Sequence, residues 1–260
     1  MPRSFPRLAF AVALLAGTSA AADLAEIRSA GKLRALVVDG SPAFYALKPG
    51  GEPGLDREIL EGFARLHKLS LETVQVSGWN ELVPGLLDGR GDVAAGGVTV
   101  TPARSARIDF TVEVMPTRNV VVNRKPAPPI TALEALKTEK VGTVKGSSMA
   151  EALTAAGVRF DEGIPSGGAP DALRAGRITA TLSGIEDALL YRHSDPNIQI
   201  GVFVGAPGRL AYGVRKDAPE LKRSLDDYLS NLRRTQTWGR LVVKYFGDSA
   251  PELLKRARGE

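Results

Sequence analysis

The stretch AAGGVTVTPARSARIDF, residues 94–110, joins the end of an apolar strand to the start of a helix. Gly96 and Gly97 end the apolar run, and glycine lets a ligand approach the backbone and its N–H groups closely. Thr101 and the proline after it are typical of a helix N-cap and first helical residue, and a helix N-terminus favours an anion. Arg104 adds a planar guanidinium that matches a carboxylate in two parallel hydrogen bonds. The stretch therefore predicts a carboxylate site at the end of the strand.

Arg104 has two interpretations on these residues alone. In the first, Arg104 binds a ligand carboxylate, and Thr99 adds a hydroxyl group from the strand. In the second, Arg104 only forms an ion pair with Asp109 or Glu113 on the protein surface. The motif is too short to decide between them, so the rest of the chain has to be considered.

The composition of the chain is that of a globular protein with scattered charges. Of the 260 residues, 43 % are hydrophobic, which is enough for a substantial core. The formal net charge is +5, but basic residues are mixed with acidic ones, so no nucleic-acid partner is expected. The chain has no cysteine, and its two histidines, His67 and His193, are far apart in sequence. We therefore expect no disulfide, no metal site and no cofactor.

Residues 1–22 have the pattern of a signal peptide. Arg3 and Arg7 precede an apolar run, residues 8–16, which is followed by small residues that resemble an A-x-A cleavage site. The apolar run is too short to span a bilayer, although an uncleaved anchor is the alternative. Removal of the two arginines lowers the formal charge from +5 to +3. Because no cysteine follows, we expect a periplasmic protein that is not a lipoprotein.

Two clusters of proline and glycine, at 125–129 and 205–208, divide an alternating pattern of strands and helices. The pattern predicts a first lobe that is interrupted by a second lobe, with the chain crossing between them near 116–120 and 207–211. The predicted strands are Lys32–Asp39, Leu71–Val76, Asp92–Val100, Lys140–Val144 and Ile178–Leu182. The predicted helices are Asp56–His67, Trp79–Leu87, Ser147–Ala156, Asp171–Ala175 and a later helix capped by Asp217.

A weak internal repeat supports two related lobes. DGRGDVAAGG (88–97) and AGRITATLSG (175–184) align without gaps, and each runs from a Gly-Arg turn through a strand of small residues to a glycine. Ligands in open α/β sheets bind outside the carboxyl ends of strands. Two such ends that face each other, at Gly97 and Gly184, would form a cleft.

Several motifs together resemble the periplasmic amino-acid-binding proteins of ABC importers, solute-binding protein family 3. The family's glycine–apolar–Asp sequence before the first long helix is present at residues 54–56. Its L-P-x-L-x-x-G-x-x-D pattern is matched by Pro84, Leu86, Gly89 and Asp92, with Leu82 one position earlier than the pattern has its leucine. The T-x-x-R and Asp-Phe elements are Thr101, Arg104, Asp109 and Phe110, and the later segments KVGTVKGSS (140–148) and WGRLVVKYFG (238–247) are also similar to the family.

This resemblance implies the type 2 periplasmic binding protein fold, in which two α/β lobes are joined by a two-strand hinge. Lobe 1 is expected to comprise residues 23–117 and 208–260, and lobe 2 residues 118–207. The implied function is capture of a small carboxylate-bearing ligand, preferably an amino acid, by hinge closure and its delivery to the membrane subunits of an ABC permease. We expect the binding protein to be a monomer.

The resemblance also implies a ligand site that is built from both lobes. Arg104 is expected to bind the ligand carboxylate, together with the N–H group of Gly97 and the hydroxyl of Thr99. The other expected ligand contacts are Ser147 and Ser148 as donors from lobe 2, and Trp79 and Phe44 as walls of the side-chain pocket.

The chain departs from the family pattern at two positions. Ser41 stands where the family usually has an aromatic residue, and Gly184 stands where the family has the aspartate that binds the ligand's ammonium group. Glu186 or Asp187 is expected to replace this aspartate, and Glu186 is preferred because it is closer to the strand end. The alternative role of the two acids is stabilisation of a helix N-terminus.

Enzyme motifs such as G-x-S-x-G and the Walker loop are absent from the sequence, so we expect a protein that is not an enzyme and has no catalytic residues. Two alternatives stay open. The periplasmic cyclohexadienyl dehydratase, which acts on prephenate or arogenate, resembles this family and keeps a carboxylic general acid near the position of Asp187. A ligand-binding module of a signalling system would also have this pattern.

Overall fold

The computed structural model describes residues 23–48 and 50–260. The predicted signal peptide, residues 1–22, lies outside the described residues and stays a prediction. Within the described ranges, no helix combines the length and the apolar character that a membrane span requires.

The described residues form two α/β lobes, and this confirms the predicted fold class. The strands, numbered in chain order, are β1 (Lys32–Val38), β2 (Ser70–Val76), β3 (Val93–Ala94), β4 (Asp109–Phe110), β5 (Met115–Arg124), β6 (Ala180–Gly184), β7 (Ile198–Leu210) and β8 (Gly213–Val214). The α-helices are α1 (Leu24–Ala30), α2 (Leu55–Leu66), α3 (Trp79–Leu87), α4 (Pro102–Ser105), α5 (Ser148–Ala155), α6 (Ala169–Arg174), α7 (Ile185–Ser194), α8 (Pro219–Arg234), α9 (Gln236–Phe246) and α10 (Ala250–Arg258).

The first lobe contains a five-stranded sheet with the order β2–β1–β3–β8–β4. β1 pairs in parallel with β2 and β3, whereas β8 runs antiparallel to β3 and β4. α2 has the predicted amphipathic pattern, because its apolar residues recur at helical spacing and turn one face to the core. That buried face includes the apolar residues Leu55, Ile59, Leu60, Phe63 and Ala64.

The second lobe contains an antiparallel sheet with the order β6–β5–β7. β5 and β7 pair with each other from Met115–Leu210 onward, and their register shifts between Thr117 and Asn119. The crossings predicted near 116–120 and 207–211 lie within this paired segment. The two long strands therefore serve both as the hinge and as part of the second sheet.

The last helix differs from the predicted lobe boundary, which assigned all of residues 208–260 to lobe 1. α9 packs against α2 and α8 in the first lobe, but α10 packs on β5, β7 and α7. A single 3-10 turn, Gly247–Ser249, carries the chain across. α10 buries Leu253 in this position, and Glu252 pairs with Arg192 of α7 at 2.8 Å. The C-terminus therefore makes a third connection between the lobes.

Two predicted strands are shorter than expected. The strand predicted at 92–100 is reduced to β3, because Gly96 and Gly97 adopt positive φ values of 96° and 79° that turn the chain out of the sheet. The strand predicted at 140–144 forms only isolated bridges, through Val141, Gly142 and Val144. Both segments leave the regular sheet where they line the space between the lobes.

Candidate functional site

A cavity of about 90 Å³ lies between the two lobes. The structure brings all nine predicted ligand contacts to its wall, although their contact with a ligand stays a prediction. These residues are Phe44, Trp79, Gly97, Thr99, Arg104, Ser147, Ser148, Glu186 and Asp187.

Arg104 is held inside the cavity wall rather than on the surface. Its side chain donates to the carbonyl oxygens of Thr99 at 2.9 Å and Gly146 at 3.3 Å, and its guanidinium lies 5.5 Å from the ring centroid of Trp79. Only 6 % of Arg104 is exposed, while Glu113 pairs with Arg233 instead. The surface ion pair that the sequence left open is therefore not the arrangement found.

The guanidinium of Arg104 is a buried cation whose hydrogen bonds go to carbonyl groups. Burial lowers its pKa from the usual value, and the charge of Glu151 only partly opposes this effect. A buried charge without a direct counter-ion is unfavourable, so an anion that enters the cavity would stabilise it. The N-cap hydroxyl of Thr101 accepts from the Arg104 N–H at 3.3 Å and fixes the start of α4.

The N–H group of Gly97, which was predicted to bind the ligand carboxylate, donates to a protein side chain in this structure. The buried carboxylate of Asp56, on α2, accepts from the N–H groups of Gly96 at 2.9 Å and Gly97 at 2.8 Å. The Gly97 N–H therefore already has a hydrogen-bond acceptor within the protein. Burial raises the pKa of Asp56 to about 6, although these two hydrogen bonds oppose the rise. A Cβ atom at Gly97 would lie 3.1 Å from the ring of Phe44, so the glycine allows close packing beneath the cavity.

Three hydrogen bonds join the lobes across the cavity and define a closed conformation. Ser148 Oγ on α5 donates to Thr99 Oγ1 at 3.1 Å, and Arg104 donates to the Gly146 carbonyl at 3.3 Å. Ser41 Oγ donates to Asp187 Oδ1 at 2.7 Å. Each bond pairs a residue of the first lobe with one of the second, so opening the lobes would break all three.

Glu186 and Asp187 occupy the first turn of α7, on the second-lobe side of the cavity. The Thr117 hydroxyl, on the hinge strand β5, donates to Glu186 Oε2 at 2.7 Å. Burial and the neighbouring Asp187 charge raise the pKa of Glu186 to about 8, and burial also raises the pKa of Asp187. A Cβ atom at Gly184 would lie 2.0 Å from Glu186 Oε1. The Glu186 carboxyl group therefore fills the space beside the strand end that a side chain at position 184 would need.

Sequence reasoning missed Tyr191, which also lines the cavity. Its position was signalled by spacing, because it lies four residues after Asp187 and hence on the same face of α7. Burial raises the pKa of Tyr191, and the charges of Asp187 and Glu186 raise it further. Its phenol therefore stays neutral and can donate a hydrogen bond.

The described part of the chain has no group of three or more His, Cys, Asp or Glu side chains arranged to hold a metal ion. The residues that line the cavity include Arg104 as their one cation and Glu186 and Asp187 as their acids. The arrangement therefore offers opposite charges to a ligand from the two lobes.

The sequence pattern of the bacterial extracellular solute-binding proteins, family 3, matches residues 33–248. The chain belongs to this family. The match includes both sheets, the cavity residues and the hinge strands, so the predicted family is confirmed.

Solved structures with the same fold include amino-acid-binding proteins. A mutant of ArgBP from T. maritima superposes with a TM-score of 0.79 at 24 % identity, covering 86 % of this chain and 99 % of that chain. An ancestral arginine-binding protein bound to glutamine superposes with a TM-score of 0.74 at 26 % identity, covering 84 % of this chain and 99 % of that chain. An ancestral arginine-binding protein bound to arginine gives a TM-score of 0.74 at 25 % identity over the same coverage.

Curated relatives carry the name of an enzyme. The membrane-bound lytic murein transglycosylase F of Pseudomonas putida strain GB-1 is 26 % identical over 86 % of this chain and 48 % of its own length. That of Stutzerimonas stutzeri strain A1501 is 27 % identical over 92 % of this chain and 51 % of its own length. The chain thus spans about half the length of the curated relatives that it matches. These relatives contradict the prediction that the chain is not an enzyme.

Proposed function

We propose that this protein captures a small molecule that carries both a carboxylate and an ammonium group, in the simplest case an amino acid. The observation that carries the proposal is the distribution of charge in the cavity between the lobes. Arg104 lies on the first-lobe side, and Glu186 and Asp187 lie on the second-lobe side. A ligand with both charges would satisfy the two walls at once, whereas a ligand with one charge would leave the other wall unpaired.

The roles of the remaining cavity residues follow from their contacts. Arg104 binds the ligand carboxylate, and the hydroxyls of Thr99 and Ser148, which already meet at 3.1 Å, add donors beside it. Trp79 and Phe44 form the apolar wall, and Ser147 caps α5 by accepting from the Ala150 N–H at 3.2 Å. The complexes of ancestral arginine-binding proteins with arginine and with glutamine support an amino acid as the ligand.

Hinge closure is the proposed mechanism of capture. The hydrogen bonds between the lobes form only when the cleft shuts, so a ligand that bridges both walls favours the closed state. The proposal also includes delivery of the ligand to an ABC permease. The signal peptide at 1–22 would export the protein to the periplasm, where it would act without lipid attachment and as a monomer. These parts of the proposal are supported by family membership and by the sequence pattern.

A thermal-shift screen of the twenty amino acids tests the proposal. A ligand at about 100 times its Kd stabilises the folded state by about 2.7 kcal/mol, which should raise Tm by roughly 5–10 °C for a chain of this size. Agmatine, which is arginine without its carboxylate, is the matched control for the Arg104 contact and should give no shift. Absence of a shift with every amino acid would contradict the proposal.

The curated relatives favour a second candidate function, in murein turnover. They are named for murein cleavage, and this chain aligns with about half of their length. In this case the cleft would bind a murein fragment that ends in an amino acid. A thermal shift with a murein digest but with no free amino acid would favour this candidate, and release of soluble fragments from murein by the purified protein would test for an enzymatic activity.

A further inference from the structure

The Glu186–Asp187 pair is a buried acidic group whose direct partners are neutral. Glu186 is 4 % exposed, and Asp187 is half-buried beside it. The hydroxyl of Thr117 on β5 donates to Glu186, and the hydroxyl of Ser41 from the first lobe donates to Asp187, each at 2.7 Å. Hydroxyl donors stabilise a carboxylate only in part, because they bring no positive charge.

The other groups around the pair also leave it without a cation. Tyr191 on the same helix and Ser183 on β6 line the cavity next to the pair, and both are neutral. Arg104 is the only cation among the described residues that line the cavity, and its guanidinium donates to the main-chain carbonyls of Thr99 and Gly146 rather than to the pair. Two adjacent carboxylates in a poorly solvated site are not both ionised unless a cation joins them. The pair therefore keeps a proton at neutral pH, in agreement with the Glu186 pKa of about 8.

We propose that the ligand's ammonium group replaces a proton held by the Glu186–Asp187 pair, so that ligand capture releases about one proton to the solvent. In this step the O–H bond of the protonated carboxyl group breaks, and the proton passes to water or buffer. The new carboxylate then accepts a hydrogen bond from the ammonium group, which keeps all its own protons. This inference rests on the proposed function, because it requires a ligand with an ammonium group.

The exchange gives the site a preference that the carboxylate contact alone does not supply. A ligand without an ammonium group leaves the proton on the pair and binds without proton release. Capture of an amino acid, by contrast, becomes weaker as the pH falls, because the proton competes with the ligand for the same carboxylates. We expect affinity to fall by up to tenfold for each pH unit below about 8 for an exchange of one proton.

Titration calorimetry in buffers with different ionisation enthalpies measures this proton directly. L-glutamine and L-arginine are the ligands, and phosphate and Tris at pH 7.5 are the buffers. At this pH a group of pKa about 8 is protonated in about three-quarters of the molecules, so we expect a release of about 0.8 proton for the native protein. We expect less than about 0.2 proton for Glu186→Gln and for native protein titrated with glutaramate, which is glutamine without its ammonium group. Glu162→Gln changes an exposed glutamate of the same lobe and should behave like the native protein. Binding of either amino acid without proton release would overturn the inference and leave the proposed function standing.

A second measurement needs no ligand and tests whether Glu186 keeps its proton even if neither amino acid binds. The folded protein holds the Glu186 proton up to about pH 8, whereas the unfolded chain loses it near 4.5. Stability to urea should therefore fall as the pH rises from 6.5 to 8, and this slope should be absent in Glu186→Gln and present in Glu162→Gln. The window lies above the pKa of about 6 of Asp56. The same slope in native protein and Glu186→Gln would refute the retained proton. A slope present only in native protein, together with failure of all amino acids to bind, would support the retained proton but refute the proposed function and with it the exchange for an ammonium group.

Discussion

Substitution of Gly146 by alanine should hold the cleft open without touching the ligand. A Cβ atom at Gly146 would lie 2.7 Å from the backbone N of Asn80 in the first lobe, and 2.9 Å from its Cα. Ordinary contact begins at 3.4 Å, so the two lobes would have to separate by at least 0.7 Å at this point, the difference between 3.4 and 2.7 Å. The atom in the way is main chain on α3, which a side-chain rotation cannot move.

This separation acts on the hydrogen bonds that close the lobes. The Arg104–Gly146 bond is already 3.3 Å long and would be broken, and the Ser148–Thr99 bond at 3.1 Å would be lengthened beyond hydrogen-bonding distance. A hydrogen bond from a charged donor contributes about 1.5–3 kcal/mol and a neutral one about 0.5–1.5 kcal/mol. Their loss should weaken ligand binding by about 2–4 kcal/mol, which is roughly 30-fold to 1000-fold in Kd.

Matched controls separate this steric effect from backbone strain. Gly146 has φ +70°, where alanine is strained in any surroundings. Gly157 and Gly176 lie in the same lobe with φ +65° and +67°, and a Cβ atom at either would meet nothing within 4 Å. Alanine at these positions should lower stability to a similar extent but leave affinity within about threefold of the native protein.

Calorimetry and small-angle scattering with a ligand found in the screen provide the readouts. The native protein and the two control variants should become more compact on saturation, and Gly146→Ala should not. If Gly146→Ala binds as tightly as Gly157→Ala and compacts to the same extent, the contact with Asn80 does not limit closure and the reasoning is refuted.

Three further variants test other contacts of the site. Arg104→Ala should weaken binding of every carboxylate ligand by about 2–5 kcal/mol while the circular dichroism spectrum stays native. Near-normal affinity by calorimetry would show that Arg104 does not bind the ligand carboxylate. Asp56→Ala should lower the free energy of unfolding, measured in urea, by about 2–4 kcal/mol, because it leaves the N–H groups of residues 96–97 without their acceptor. A loss below about 0.5 kcal/mol would show that these N–H groups find another acceptor. Thr117→Val should weaken binding of an amino acid more than binding of its deaminated analogue, because the Thr117 hydroxyl donates to Glu186. Thr117→Ser keeps the hydroxyl and should bind normally. Equal effects of Thr117→Val on the amino acid and on its analogue would exclude a role of Thr117 in positioning Glu186.

The cavity could be predicted from the sequence because its first wall is local in the chain. Gly96, Thr99 and Arg104 lie within nine residues of one another, and strand-end and helix-start rules alone place them together. The role of the Gly97 N–H could not be predicted in this way. Its acceptor, Asp56, lies 41 positions earlier and reaches the glycines only through the packing of α2 on the sheet.

Other errors have a similar physical origin. The cluster 205–208 predicted a division between the lobes but not its conformation: Pro207 lies inside β7, where an edge strand tolerates a missing N–H group. The crossing of α10 to the second lobe depends on the burial of Leu253 and Ala257 against elements from distant parts of the chain. Local pattern thus predicted which elements exist, but not which distant surface each one covers.

The acid that is missing at Gly184 shows why a single aligned position is a poor guide to a binding site. In the closed structure the Glu186 carboxyl group lies where a side chain at 184 would begin, since a Cβ atom there would come within 2.0 Å of Glu186 Oε1. An acid at 184 and Glu186 in this position therefore exclude each other. The first turn of α7 brings the Glu186 side chain back over the strand end, and Thr117 on the hinge strand holds it there. The carboxyl group at this wall of the cavity belongs to Glu186, two positions after Gly184. It accepts a hydrogen bond from Thr117 on β5, a strand that connects the lobes.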